Sequence, residues 1–414
     1  MRVAWLEIQN FRSIESLRIE NLDKAQIVIE GQNDVGKSNI LYALDLALST
    51  LPTLLRKKGG LDAPIPGEPS TQPDWVRNPI SLFRNPKKQL IVSIGIRFDS
   101  KDGVHQGITN IETPVAFKLS WNPSTNTLSA NLSTSLRTDL FNEAYIAIAQ
   151  ALAPAFRLVG TQRAPDSERL HLSSGNLWET KVRWYGRNLK EMLFLYKNSP
   201  DLEIQERFEQ LRAAAQSPEM GIGTLNVSVL PDQTLNVKTR FNGTELQLEE
   251  RGSGIQQLLT LLALSICHRG RILAVEEPEM NLSEPNQRLL WKRLREFSSE
   301  SGPLDQVFLT SHSRVFEEEA ERIVVSYDEK AGTRANWAAP APLRQSIDED
   351  VLPVTRGGAV TLSEKMLQHL GIKDNQHLYL VPTKKGYHLL GPGGYAEYLG
   401  LEEDEEDPDA DPIG

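Results

Sequence analysis

Cysteine is all but missing from this chain. Cys267 is the only one in 414 residues, which excludes an intramolecular disulfide framework and a cysteine-based zinc site. Long apolar runs are missing too: no stretch of about 18 consecutive apolar residues is present to span a membrane. The first residues, MRVAWLEIQNFRSI, alternate apolar and polar side chains with charge mixed in, unlike a secretory leader. A reducing cytoplasm is therefore the expected compartment. Sustained heptads are absent, which excludes a long coiled-coil arm, and no internal repeat is evident.

Positive charge is in deficit, with 45 Lys+Arg against 55 Asp+Glu and a net of −10. At face value that argues against a polyanionic partner. The deficit is local, however. Residues 402–414 hold eight acids and no Lys or Arg, and without those eight the chain stands at −2. Nucleic acid thus remains open as a partner, and the stretch 399–414 reads as a disordered acidic tail. A sharper reading makes that tail a mimic of nucleic acid that covers a basic groove or a partner until displaced. With 39% apolar and 24% charged residues, the rest is an ordinary globular chain, large enough for two or more domains.

Val3, Trp5 and Ile8 lie on a first strand before Phe11-Arg-Ser-Ile14, and the run Gln26–Ile29 reads as a short buried strand that ends at Gly31. Apolar spacing predicts a helix from Ser38 to about Leu48. Residues 51–88 carry seven prolines and read as a surface excursion. Period-two alternation over 90–98, 115–121 and 127–133 predicts an antiparallel meander. Helical spacing follows at 136–153 and 177–215, and strands return at 224–230 and 234–240. Residues 51–245 are accordingly read as a lateral insertion, β-rich with some helices. From Ser253 a helix, a strand Ile272–Val275, a helix around 284–298, a strand Val307–Leu309 and a strand Ile323–Tyr327 suggest a parallel sheet resuming in an α/β fold. Residues 331–352 read as a polar linker.

Gly31-Gln32-Asn33-Asp34-Val35-Gly36-Lys37-Ser38 fits G-x-x-x-x-G-K-[ST] between a strand and a helix, the context that motif requires. Such a loop turns backbone N–H groups toward phosphate oxygens, with Lys37 for the β/γ-phosphates and the Ser38 hydroxyl as a ligand for Mg²⁺. The apolar run Ile272–Val275 ends in Glu276-Glu277-Pro278-Glu279. Carboxylates at a strand tip lie beside the phosphate loop in open α/β sheets. Glu276 would support Mg²⁺ and Glu277 would orient or deprotonate the attacking water. Val307–Leu309 runs into Thr310-Ser311-His312-Ser313, where His312 could donate to a γ-phosphate or simply cap a turn. Arg251-Gly252-Ser253-Gly254-Ile255-Gln256-Gln257 opens a helix and offers a second anion site at Ser253 and Gly254. One nucleotide does not need two cradles, so the economical solution lets this helix complete the site of a second copy.

Together N-F-R-S-I, G-Q-N-D-V-G-K-S-N, G-S-G-I-Q-Q, E-E-P-E and T-S-H-S resemble the P-loop ABC-type ATPase heads of the RecF/SMC/OLD group, particularly OLD-like defence-associated ATPases, over residues 1–330. The resemblance implies ATP and Mg²⁺ as cofactors, bound by Gly31, Asn33, Asp34, Gly36, Lys37, Ser38 and Asn39, with Ser38 and Glu276 at the metal. It implies Glu277 as hydrolytic base, His312 as γ-phosphate switch, and Ser253 and Gly254 as a signature acting across a head dimer. Arg12 either reaches the nucleotide or is a surface arginine. Two departures stand out: GSGIQQ replaces S-G-G-Q, and Leu282-Ser283-Glu284-Pro285 replaces the usual L-H-P. The glutamine of the nucleotide-sensing loop is assigned only provisionally, to Gln89.

OLD proteins carry a metal-dependent nuclease domain after the switch histidine. Here Asp348-Glu349-Asp350 has D-x-D spacing but no preceding strand, so it reads as a solvated turn and no nuclease activity is expected of this chain. Residues 353–398, with a glycine after a helix and strands across a Lys-Gly turn, resemble the AbrB/MazE swapped-hairpin domain, a small β-rich module that dimerises and in many cases binds DNA. The expected protein is a dimeric or larger homo-oligomeric ATPase that couples nucleic-acid or invader sensing to a separate effector, a nuclease or toxin, in anti-phage defence. Alternatives are a RecF-like repair ATPase and an ATP-gated scaffold that holds a toxin silent.

Overall fold

A computed structural model describes residues 1–56, 65–66, 73, 76, 78–99, 102, 114–132, 141–161, 189–267, 271–300, 302–317, 320–329, 331–338, 379–383 and 386–390. The chain divides into two units, Met1–Ala338 and Ala339–Gly414. The first unit opens with β1 (Arg2–Phe11), β2 (Ile14–Ile19), β3 (Gln26–Glu30) and α1 (Lys37–Arg56). Next come β4 (Ile65–Pro66), β5 (Leu90–Arg97), β6 (Val115–Asn122), β7 (Thr127–Leu132), α2 (Phe141–Leu152) and β8 (Phe156–Val159). Helices α3 (Leu189–Lys197) and α4 (Leu202–Gln216) lead to β9 (Thr224–Val229), β10 (Leu235–Phe241) and β11 (Thr244–Gln247). The last stretch runs α5 (Ser253–Cys267), β12 (Ile272–Glu276), α6 (Glu284–Phe297), β13 (Gln306–Ser311), α7 (Arg314–Glu317), β14 (Glu321–Asp328) and β15 (Gly332–Trp337).

Twelve strands form one sheet in the order β4-β7-β6-β5-β1-β2-β15-β14-β3-β13-β12-β8. Strands β14, β3, β13, β12 and β8 run parallel, as expected of strands that alternate with helices. From β15 outward every pairing is antiparallel. Successive side chains of a parallel strand point to opposite faces, and both faces are apolar. In β12, Ile272 and Ala274 join the cluster built around α1, whereas Leu273 and Val275 join the one built around α5. The α/β expectation therefore holds, with a core on each side of the central sheet.

Segment 51–245 contributes more to that sheet than the word insertion conveys. Strands β5, β6 and β7 lengthen it outward from β1, and β8 pairs in parallel with β12 at its other edge. Among its other described elements are helices α2, α3 and α4 and a separate three-stranded sheet, β11-β10-β9.

Two sequence expectations are corrected. Helix α1 does not stop near Leu48: it passes through Pro52 to Arg56, because Leu51, Leu54 and Leu55 continue its buried face and burial offsets the hydrogen bond that Pro52 cannot donate. The segment read as a linker from 331 begins instead with β15, which pairs with β14 and bridges to β2 at Gly332 and Ile14. Its polar residues hide this strand; Arg334 and Asn336 take the exposed positions, while Thr333 is fully buried. In the second unit β16 (Tyr379–Thr383) and β17 (Gly386–Leu390) pair antiparallel, with Thr383 opposite Gly386. The helix expected before them, the Asp348–Asp350 turn and the acidic tail lie outside the described residues.

One charged cluster joins the two halves of the sheet at the end where β12 and β13 start. Asp99, Asp102 and Asp305 surround the amine of Met1 at 3.0, 3.1 and 2.6 Å, and Arg271 reaches Asp102 at 3.0 Å and Asp305 at 2.5 Å. The three carboxylates could geometrically share a metal ion, but the cations of the chain already occupy their inner side.

Candidate active site

Strands β3, β12 and β13 end side by side, and the loops leaving them carry the residues singled out from the sequence. Glu276 pairs with Thr310 in the register of β12 and β13, and Glu30 with Ser311 in that of β3 and β13. The three tips thus lie on one edge of the parallel sheet.

The phosphate-loop motif runs from the end of β3 into the first turn of α1. Asp34 has φ 62° and Gly36 φ 97°. A Cβ at Gly36 would run into Thr333 Oγ1 and Ser13 Oγ, so only glycine lets the loop curl this closely over the strands below. Lys37 is buried. Its Nζ donates to the Gly31 carbonyl at 2.9 Å, the Gln32 carbonyl at 2.7 Å and Nε2 of His312 at 3.0 Å. An ammonium only donates, so His312 accepts through Nε2 and carries its proton on Nδ1. Glu277 Oε1 lies 3.9 Å from the same nitrogen. Burial lowers the pKa of Lys37, while Glu277, Glu279 and Asp34 oppose that shift. Asn33 and Asp34 are exposed and Ser38 is half-buried at the start of α1.

Glu276 is buried, and its Oε2 accepts from the Tyr42 hydroxyl at 3.0 Å. Burial, then the charge of Glu276, raises the Tyr42 pKa, so the phenol stays a donor. The Arg12 guanidinium lies 4.6 Å from the Tyr42 ring centroid, and its Nη1 donates to Asn39 Oδ1 at 3.1 Å. Burial lowers the pKa of Arg12, against the pull of Tyr42 and Glu276. Arg12 is thus packed into the site and is no surface arginine. Glu277 has φ 43°, a left-handed conformation unusual for a side chain of its size, and its N–H donates to the Thr310 carbonyl at 2.8 Å. Glu279 Oε1 accepts from the His312 backbone N–H at 2.6 Å, and Ser313 Oγ donates to Gln287 Oε1 at 2.6 Å.

The structure brings Lys37, Glu276, Glu277 and His312 together. It does not bring Ser253 and Gly254 to them. Ser253 is exposed at the start of α5, a side chain at Gly254 would meet the Asn281 carbonyl, and among the described residues no hydrogen bond joins either to the phosphate loop. Gln89 is exposed, with its carbonyl taken by Asn10 Nδ2 at 3.2 Å. Tyr42 has no role in the sequence reading, although it stands one turn after Ser38 on α1. Glu279 is legible only as the last letter of E-E-P-E.

The side chains fit a magnesium nucleotide. A buried lysine ammonium stands inside the loop, and hydroxyl and carboxylate oxygens at Ser38 and Glu276 are the donors a hard divalent cation takes.

A profile of the AAA ATPase domain family matches residues 1–153 and 181–316. No curated protein matches the chain by sequence. Among solved structures, an SMC head bound to the C-terminal winged-helix domain of ScpA superposes with TM-score 0.53 at 16% identity, over 84% of this chain and 99% of that one. An SMC head with an extended coiled coil, bound to the C-terminal domain of ScpA from Pyrococcus furiosus, gives TM-score 0.50 at 13% identity, over 82% of this chain and 97% of that one. At such identities the likeness establishes the head fold alone.

Proposed function

The chain belongs to the AAA ATPase domain family, and on that premise we propose that it is a Mg²⁺-dependent ATP hydrolase whose heads pair around ATP and relay nucleotide state to a separate effector. The observation that carries the reading is the meeting of Lys37, Glu276, Glu277 and His312 at three adjacent strand tips. Bound Mg²⁺ and ATP supply a scissile phosphoanhydride and a cation that neutralises the charge developing on it. Gly31, Asn33, Asp34, Gly36 and Asn39 shape the loop that binds the phosphates. Lys37 exchanges its loop carbonyls for phosphate oxygens, and Ser38 and Glu276 hold the metal. Glu277 orients the attacking water and takes its proton at a carboxylate oxygen. His312 gives up its bond from Lys37 when the loop fills, and in doing so registers occupancy.

Among the described residues Ser253 and Gly254 make no hydrogen bond to the phosphate loop of their own chain, which is consistent with their acting on the site of a second copy. We assign the assembly to a homodimer or higher homo-oligomer on that basis, reinforced by residues 353–398 if these form the AbrB-like dimerisation module. Nucleic acid as trigger, a nuclease or toxin as effector and an OLD-like role in anti-phage defence rest on the sequence resemblance, and a cytoplasmic site of action on the scarcity of cysteine. That two solved SMC heads are captured with domains of another protein, ScpA, favours a partner chain here as well.

The test is direct. The full chain should hydrolyse ATP only with Mg²⁺, and Lys37→Ala should lose nucleotide binding in calorimetry. Affinity isolation of the native complex should bring down a small nuclease or toxin chain; DNA alone would favour the repair reading, and occupancy without turnover the scaffold reading.

A further inference from the structure

Thr333 lies outside every motif, near the end of the first unit, yet it touches the phosphate loop. Its side chain is fully buried, and Oγ1 donates to the Val35 carbonyl at 2.9 Å. Ser13 Oγ lies 2.7 Å from Thr333 Oγ1 and accepts from Asn39 Nδ2 at 2.7 Å. With the Thr333 proton committed to Val35, the Ser13 proton must go to Thr333. The chain therefore has one direction: Asn39 to Ser13, Ser13 to Thr333, Thr333 to the loop. The backbone repeats the contact, since the Thr333 N–H donates to the Ser13 carbonyl at 3.1 Å.

A trans peptide fixes what this does. The carbonyl of Val35 and the N–H of Gly36 belong to one planar unit and point in opposite directions. Holding that oxygen down on Thr333 turns the Gly36 N–H toward the opposite side, the mouth of the loop, where amides receive phosphate. Thr333 is also the second residue of β15. Further along that strand Trp337 Nε1 donates to the Glu20 carbonyl at 2.8 Å and Ala338 N–H to the Arg322 carbonyl at 2.8 Å; with Ala339 the second unit begins.

We infer that Thr333 is a positioning residue for the phosphate loop, and that through it β15, the strand from which the chain enters the second unit, is coupled to nucleotide binding. The inference rests on reading residues 31–38 as the ATP-binding loop. In the full chain Thr333→Val keeps the β-branched shape and removes the hydroxyl, whereas Thr333→Ser keeps it. Calorimetry with a non-hydrolysable ATP analogue should show affinity lower by about tenfold for valine, the worth of one buried hydrogen bond, and within about twofold of wild type for serine. Equal binding by wild type and the valine variant would overturn the assignment. A wild-type chain that binds no analogue would instead break the reading of the site. Should the valine variant not fold, amide exchange of the wild-type full chain decides the matter. The analogue should slow exchange over 332–337 together with 31–38, and protection of the loop without protection of the strand would refute the coupling.

Discussion

Two central parallel strands of the large sheet, β12 and β13, and its antiparallel wing are built from similar apolar residues but place their charges differently. Every residue of β12 and β13 is buried, so a charge along either strand would be stranded in a core with no partner. Charge is admitted only where the strands end, at Glu276 and beyond Ser311. In the wing, β6 buries Val115, Phe117, Leu119 and Trp121 and exposes Lys118 between them. An ordinary solvated face can carry charge anywhere, so there charge marks nothing. Two-sided burial is what makes a strand tip informative about chemistry.

Breaking a tip should therefore leave the fold and remove the reaction. Glu277→Gln is expected to keep ATP, to accumulate a closed dimer by size exclusion, and to slow hydrolysis by about 10²- to 10⁴-fold, the usual worth of a positioned general base. Its unfolding midpoint should stay at the wild-type value. Hydrolysis at the wild-type rate would remove Glu277 from the role assigned to it.

Breaking the wing should do the reverse. Trp121 is fully buried, meets Phe83 edge-to-face at 5.9 Å and donates through Nε1 to Asn126 Oδ1 at 3.1 Å. Trp121→Ala should cost about 3–5 kcal/mol of stability through the cavity and the lost contacts, read as a lower denaturant midpoint, while the molecules that remain folded bind ATP as before. A large change in ATP affinity without a change in midpoint would mean that the two halves are not separable in this way.

The same division accounts for what is legible in the sequence. The parallel strands, the phosphate loop and E-E-P-E are legible because a continuous apolar run that stops abruptly at charge is what two-sided burial with a solvated tip requires. The wing's meander is legible from its period of two. Strand β15 is not, since Arg334 and Asn336 fill its exposed positions and its two buried members are Gly332 and Thr333, neither of them strongly apolar. Contacts between distant segments, such as Arg12 over Tyr42 or Thr333 under Val35, have no local signature. Ser253 and Gly254 are legible as a helix start, but a single chain does not show what they act upon.

The smallest effect tests whether the tips are sufficient by themselves. Tyr42 belongs to α1, not to a strand, and its hydroxyl is a donor that buried Glu276 receives from within the chain. Because burial holds the phenol protonated, that bond persists across neutral and moderately alkaline pH, and its loss should be felt equally throughout that range. Tyr42→Phe removes one oxygen and preserves the ring beneath Arg12, so nucleotide affinity measured without metal should be unchanged. What should weaken is the hold of Glu276 on the cation: more Mg²⁺ should be needed for half-maximal hydrolysis, by about tenfold, as for other residues that orient a metal ligand from behind. If the Mg²⁺ requirement does not move, Glu276 is oriented by its strand alone, and the parallel half needs no help from the helix that packs against it.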